Sequence, residues 1–161
     1  MCNLLIVDDD PDISDVFCEA SSELPEIKCI ATSTIAEAKG VLSTRGIGIL
    51  LLDIRLKGES GLDLARYVNN EYPDVIIVAF TGYPDTLHSR ELLAYIDDFL
   101  YKPVSIKTLA DRMVTWLIAY NHKKRINSTL ARIRAEHGEE LEIAREVRRK
   151  VEAILGETLH G

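Results

Sequence analysis

The run Ile47-Gly48-Ile49-Leu50-Leu51-Leu52 ends on Asp53, and it constrains the fold more than any other feature of the chain. It is too short for a helix and too uniformly apolar for a strand with one wet face. It therefore reads as a strand buried on both sides inside a parallel sheet. Other runs repeat the pattern. Leu4-Leu5-Ile6-Val7 runs into Asp8-Asp9-Asp10, Val75-Ile76-Ile77-Val78-Ala79-Phe80 into Thr81-Gly82, and Asp98-Phe99-Leu100-Tyr101 into Lys102-Pro103. The carboxyl ends of such strands are where open α/β sheets build their sites. Carboxylates, a hydroxyl and an ammonium are thus expected at one edge.

Between the runs lie helix-length segments. The spacing predicts strand 3–7, then a helix opening at Pro11-Asp12, where the missing N–H of proline costs nothing. Strand 27–31 precedes helix 34–44, with Thr34 as N-cap three residues before Glu37. Strand 47–53 precedes helix 61–71, strand 75–80 precedes helix 86–95, and strand 97–101 precedes helix 105–120. Five βα units imply a parallel sheet covered by helices on both faces, because right-handed crossovers place them there. A tail follows from Lys123, rich in Arg, Glu, Ala and Leu, all good helix formers. Ile126, Leu130, Ile133, Ala144, Val147, Val151 and Ile154 recur at coiled-coil spacing. The pattern lapses around His137-Gly138, which predicts two helical segments, 123–136 and 139–156. The division expected is a body of residues 1–122 and a helical tail of 123–161.

Three carboxylates drawn from two strand ends push one another's pKa up unless a cation joins them. Hard oxygen donors that leave room for water suit Mg²⁺. Thr81 adds a hydroxyl and Lys102 an ammonium. A metal, an ammonium and a hydroxyl aimed at a carboxylate can stabilise the spread charge of a transferring phosphoryl group. Asp10 fits two roles, a cap on the first helix or a third carboxylate of the metal site, and the sequence leaves both open.

Five blocks together resemble one family: Ile6-Val7-Asp8-Asp9-Asp10-Pro11, Leu52-Asp53-Ile54-Arg55-Leu56, Gly61-Leu62-Asp63-Leu64, Thr81-Gly82-Tyr83, and Asp97-Asp98-Phe99-Leu100-Tyr101-Lys102-Pro103. In order and spacing, residues 1–120 are similar to the receiver domain of two-component response regulators. The resemblance implies a (βα)5 flavodoxin-like, doubly wound parallel sheet, here followed by a helical tail. It implies that Asp53 takes a phosphoryl group from a histidine kinase or phosphotransfer protein. It also implies that Asp8, Asp9, Asp53 and the Arg55 carbonyl hold Mg²⁺, Asp9 more directly than Asp8. Thr81 and Lys102 would grip the phosphoryl oxygens, and Phe99 matches the aromatic switch position. Arg55 and Tyr83 stand at the places that border the approach of hydrolytic water. Two positions depart from the family pattern: Lys57 stands where proline is usual, and Tyr95-Ile96 replaces a small pair before the last strand.

Composition excludes several alternatives. Residues 1–122 carry 10 Lys/Arg against 19 Asp/Glu, so the body is acidic and poorly suited to nonspecific nucleic-acid binding. The tail carries 9 against 7, a mixed balance that fits a solvated helix face. No helix-turn-helix pattern stands out in it, so a small nucleic-acid-binding output in the tail is the alternative reading, and a homodimer through the tail and helix 105–120 is the expected one. No apolar stretch is long enough to span a bilayer, and no basic region precedes the first apolar run, so a cytoplasmic, non-membrane protein is expected. Cys2, Cys18 and Cys29 are odd in number and widely spaced, which predicts reduced thiols. An aspartyl-nucleophile phosphatase of the haloacid dehalogenase type would share the strand-end Asp, Mg²⁺, Thr and Lys. Its Asp-x-Asp-x-Thr/Val signature is not met by Asp8-Asp9-Asp10-Pro11-Asp12, and a non-enzymatic signalling role is expected.

Overall fold

The structure is a computed structural model; it describes residues 1–83 and 90–158, side chains at 139–141, 144–145 and 151–158 excepted. The elements are β1 (Cys2–Val7), α1 (Pro11–Ser22), β2 (Ile27–Thr32), α2 (Ile35–Thr44), β3 (Ile47–Asp53), β4 (Arg55–Leu56), β5 (Glu59–Ser60), α3 (Gly61–Glu71), β6 (Ile76–Thr81), α4 (Arg90–Leu93), β7 (Asp98–Tyr101) and α5 (Ile106–Thr158). The chain divides into two units, Met1–Lys123 and Lys124–Gly161.

Five strands form one parallel sheet in the order β2-β1-β3-β6-β7, with β4 and β5 as a separate antiparallel hairpin. The chain leaves β1 for β2 on one side and returns to β3 on the other. The carboxyl ends of β1 and β3 are therefore the topological switch point.

The period of two along each strand sorts the core into two layers. Leu4, Ile6, Ile49, Leu51, Val78, Phe80 and Leu100 pack against α1 and α5 through Phe17, Ala20, Leu109, Met113 and Trp116. Leu5, Val7, Leu50, Leu52 and Ile77 pack against α2 and α3 through Ala38, Leu42, Leu64, Ala65 and Val68. Ala79 and Leu92 extend the second layer to α4. Every residue of β3 is buried, as its apolar run requires.

The helix starts follow from local chemistry. Asp10 caps α1, its Oδ1 accepting the Asp12 N–H at 3.1 Å, and Pro11 opens the first turn. Thr34 caps α2 by accepting the Glu37 N–H at 3.2 Å, while the Glu37 carboxylate accepts the Ser33 N–H at 3.0 Å. The base of α5 is pinned by acids at the start of β7. Asp98 accepts from Trp116 Nε1 at 2.7 Å and from Arg112 at 2.6 Å. Asp97 accepts the Ile77 N–H at 2.9 Å and the Lys123 ammonium at 3.1 Å.

Three expectations need correction. The tail is not two segments: α5 runs through His137-Gly138 without a break. One glycine costs a helix interior only about 1 kcal/mol relative to alanine, and the strong helix formers on both sides outweigh it. The cysteines are not all reduced: Cys18 and Cys29 are joined by a disulfide, with their Cα atoms 5.4 Å apart, and Cys2 is buried outside that bond. Consecutive α1 and β2 pack face to face, which brings the two positions within bridging distance. The fourth helix, expected over 86–95, is described only as Arg90–Leu93, since 84–89 lie outside the described residues. It ends early because Ala94 and Tyr95 turn back onto Glu91 and Leu92, and Tyr95 and Ile96 pack on the second core layer.

Candidate functional site: an acidic pocket at the switch point

Strand register assembles the site. Val7 pairs with Leu52, which sets Asp8 beside Asp53. Asp53 pairs with Phe80, and Thr81 with Tyr101, so Thr81 and Lys102 end their strands at the same edge. Strand alternation then selects the face. Asp8, Asp53 and Lys102 share parity with Ile6, Leu51 and Leu100, the residues that face α1 and α5. Thr81 shares parity with Ala79, on the α3 and α4 side.

The side chains meet as that parity demands. The Lys102 ammonium donates to Asp53 Oδ2 at 2.6 Å and to Asp8 Oδ2 at 2.7 Å. It also sits 4.9 Å above the Phe80 ring, whose face favours a cation. Asp8 Oδ1 accepts the Asp10 N–H at 3.0 Å, and Asp53 Oδ1 accepts the Arg55 N–H at 2.9 Å. Both acceptors are buried, Asp8 at 3% and Asp53 at 9% exposure. The Thr81 hydroxyl oxygen, fully buried, accepts the Tyr83 N–H at 3.1 Å. Asp9 is more open and pairs with Lys57, Nζ to Oδ2 3.0 Å.

Each local shape has a cause. Gly61 lets the start of α3 close on the strand end: a Cβ there would come within 2.5 Å of the Asp53 carbonyl oxygen. Gly58, at φ +74°, supplies the left-handed turn that closes the β4–β5 hairpin. The guanidinium of Arg55 stacks 4.1 Å above the Tyr83 ring. The Lys102–Pro103 peptide is cis.

The electrostatics follow from burial and pairing. Burial pushes the Asp8 carboxyl above its ordinary value, with the Asp53 charge adding to this, against the pull of Lys102 and the Asp10 N–H. The Lys57 ammonium holds Asp9 below the usual carboxylate value. Burial works against the charge of Lys102, but its hydrogen bonds to Asp53 and Asp8 outweigh that and hold the ammonium above its ordinary value.

Among the described residues, Asp8, Asp9 and Asp53 each offer an oxygen within 4.8 Å of the others. Three hard donors converging on one point fit a small divalent cation such as Mg²⁺, with room for waters in the rest of its shell. Asp10 is not in this set; its side chain is the helix cap. Phe99 lies apart from the carboxylates on the opposite parity, 40% exposed, its ring edge-on to Tyr101 at 5.4 Å. Two features escape a reading of the sequence alone: the Lys57–Asp9 pair and the Arg55–Tyr83 stack. The only sign of the first is a lysine where the resembled family has proline.

An acidic pocket with a bridging lysine, at the switch point of a parallel sheet ordered β2-β1-β3-β6-β7, defines a class of signalling module. The chain belongs to the response regulator receiver domain family, whose profile matches residues 4–114. Its relatives include the transcriptional regulatory protein DcuR of Escherichia coli O6:H1, 28% identical over 120 residues, covering 72% of this chain and 50% of that protein. The transcriptional regulatory protein MalR of Bacillus subtilis is 32% identical over 134 residues, covering 80% and 54%. The chain thus spans about half the length of the curated relatives it matches. Among solved structures, a CheY-like receiver domain protein from Methanospirillum hungatei superposes with TM-score 0.69 at 24% identity, covering 76% of this chain and 98% of that one. The response regulator TrrA of Thermotoga maritima, solved in complex with Mg²⁺-BeF, gives TM-score 0.65 at 23% identity, covering 72% and 99%. Both superpositions support the (βα)5 flavodoxin-like fold. No helix among the described residues is long and apolar enough to cross a membrane.

Proposed function

We propose that the chain is a phosphorylation-driven switch whose Asp53 accepts a phosphoryl group from a phosphohistidine of a histidine kinase or phosphotransfer protein. One observation carries the reading: a single ammonium bridges Asp53 and Asp8 at 2.6 and 2.7 Å, with Asp9 completing a three-carboxylate set. An Asp53 carboxylate oxygen attacks phosphorus, the donor's P–N bond breaks, and its electron pair returns to the imidazole. Negative charge spreads over the three phosphoryl oxygens in the transition state, so fixed cations and donors lower the barrier most. Lys102 and the Thr81 hydroxyl serve as those donors. Mg²⁺, held by Asp8, Asp9, Asp53 and the Arg55 carbonyl, supplies further neutralisation of that charge when bound.

Release of phosphate by the domain itself is slow in this reading, because the stacked Arg55 and Tyr83 border the path of an in-line water. New charge on Asp53 draws Thr81 inward, and Thr81 shares a sheet face with Phe99. The exposed Phe99 ring then shifts, which biases the surface of α4, β7 and the first turns of α5.

The body is residues 1–122, and 123–161 is an association element that forms a homodimer together with 105–120. Exposed Ile126, Leu130, Ile133 and Val147 support this. The output is a protein contact rather than a nucleic-acid contact, since the tail's charges are mixed and no recognition motif stands out. A cytoplasmic location accords with partners of this kind.

Acetyl phosphate with Mg²⁺ tests the reading. The chain is expected to gain one phosphate by intact mass, and Asp53→Asn or removal of the metal by chelation is expected to abolish the gain. Stoichiometric phosphorylation of Asp53→Asn would refute the assignment.

A further inference from the structure

The hairpin that follows Asp53 delivers a second ammonium to the acidic pocket. Arg55 pairs with Ser60 and Leu56 with Glu59, so Lys57 and Gly58 form the turn. The hairpin is fixed by other means than Lys57. Leu56 is buried, and Glu59 Oε2 accepts the Ile35 N–H at 3.0 Å at the start of α2. From this anchored turn the Lys57 side chain, 87% exposed, reaches over to place Nζ 3.0 Å from Asp9 Oδ2. Its attachment to Asp9 therefore depends on side-chain torsions alone.

Each carboxylate of the cluster consequently has an ammonium in contact. Lys102 serves Asp8 and Asp53; Lys57 serves Asp9. The two lysines differ in kind. Lys102 is largely buried and fixed by two carboxylates and an aromatic face, whereas Lys57 is solvent-exposed and meets Asp9 alone among the described carboxylates. A divalent cation arriving at Asp8, Asp9 and Asp53 meets its weakest competitor at Asp9.

We propose that Lys57 is a cation gate on Asp9: it competes with the metal for that carboxylate, lowers the metal affinity of the resting pocket, and is released when the metal binds. The inference rests on the reading of Asp8, Asp9 and Asp53 as the Mg²⁺ site. It makes position 57 a determinant of how much Mg²⁺ the domain needs before it can be phosphorylated. An exposed pair holds its partner only weakly, so the gate is worth roughly a twofold to fivefold change in Kd. Salt screens exposed pairs, so the gate weakens as ionic strength rises.

Calorimetric titration with MgCl2 of the full chain, Lys57→Gln, Lys57→Arg, Asp9→Asn and the Lys57→Gln/Asp9→Asn double variant tests it at low and high KCl. Lys57→Gln is expected to bind Mg²⁺ roughly twofold to fivefold more tightly than the parent, while Lys57→Arg keeps the parental Kd. The advantage of Lys57→Gln shrinks in high KCl. It vanishes when Asp9→Asn is already present, because the pair is then absent. Equal or weaker binding by Lys57→Gln overturns the gate and leaves the metal site standing. An advantage that persists undiminished in the Asp9→Asn background also overturns it, since the effect would then be general charge repulsion. Absence of Mg²⁺ binding by both parent and Lys57→Gln brings down the metal site itself, and the gate with it.

Discussion

Lys102 is one ammonium shared by two buried carboxylates, and the pocket depends on that sharing. Its removal leaves Asp8 and Asp53 facing each other away from water with no cation between them. Lys102→Ala is expected to lose about 2–3 kcal/mol, less than a fully buried pair would, because the Lys102 side chain is 20% exposed. Both proteins lose stability as pH rises, and the size of the loss between acid and neutral pH separates them, because Lys102 pulls the Asp8 carboxyl down only in the parent. In the parent, the raised Lys102 pKa gives stability that is present below the ordinary value of 10.5 and lost as pH rises through the raised value. In Lys102→Ala, Asp8 keeps the raising effects of burial and the Asp53 charge without the pull of Lys102, so it binds a proton more tightly folded than unfolded and stability falls more steeply as pH rises from 3.8 towards neutrality. Urea unfolding across pH measures both. A flat profile for Lys102→Ala from acid to neutral pH would show that the carboxylates do not crowd. Mg²⁺ acts in the opposite sense: at ten times its Kd it is expected to add about 1.4 kcal/mol to the parent.

At the scale of elements, the strands and helices of the body were legible because each layer of the sandwich imposes its own periodicity. Continuous apolar runs such as 47–52 marked strands buried on both faces, and polar punctuation marked their carboxyl ends. The placement of Asp8, Asp53, Thr81 and Lys102 at one edge was legible for the same reason, since the strand ends of a parallel sheet all point that way. The side-chain pairs were not. Nothing in the spacing of Cys18 and Cys29 says that one faces the other, because that depends on how α1 lies over β2. Lys57 was unreadable in the same way: its target, Asp9, lies 48 positions earlier and meets it only through the hairpin turn. The lapse in the apolar pattern at His137-Gly138 does not mark a helix end, because the strong helix formers on both sides outweigh one glycine. The α1–β2 disulfide invites its own test. It closes a short loop, with 11 residues of separation, and so should contribute about 2–3 kcal/mol by restricting the unfolded chain. Reduction with dithiothreitol is expected to lower the urea midpoint of the parent and leave Cys18→Ser/Cys29→Ser unchanged. Equal behaviour of the two proteins under reductant would show that the bond contributes nothing.

At the scale of the molecule, an acidic body is joined to a tail of mixed charge that shows apolar residues to solvent. Ile133 and Val147 are 45% and 54% exposed and fall two heptads apart, the arrangement of one coiled-coil seam. Sedimentation of the parent, of Ile133→Glu/Val147→Glu, and of a chain shortened to end at His122 tests the association. The parent is expected to dimerise at tens of micromolar and both altered chains to remain monomeric; three monomers, with and without phosphorylation, would exclude the tail as a self-association device. All of this matters to function only if the pocket is a phosphoacceptor, and reductive trapping asks that question at its source. Borohydride converts an acyl phosphate to the corresponding alcohol, so after treatment with acetyl phosphate and Mg²⁺ the peptide spanning residue 53 should carry homoserine there. Homoserine at any other position, or none in a chain that has gained phosphate, would contradict the assignment of Asp53.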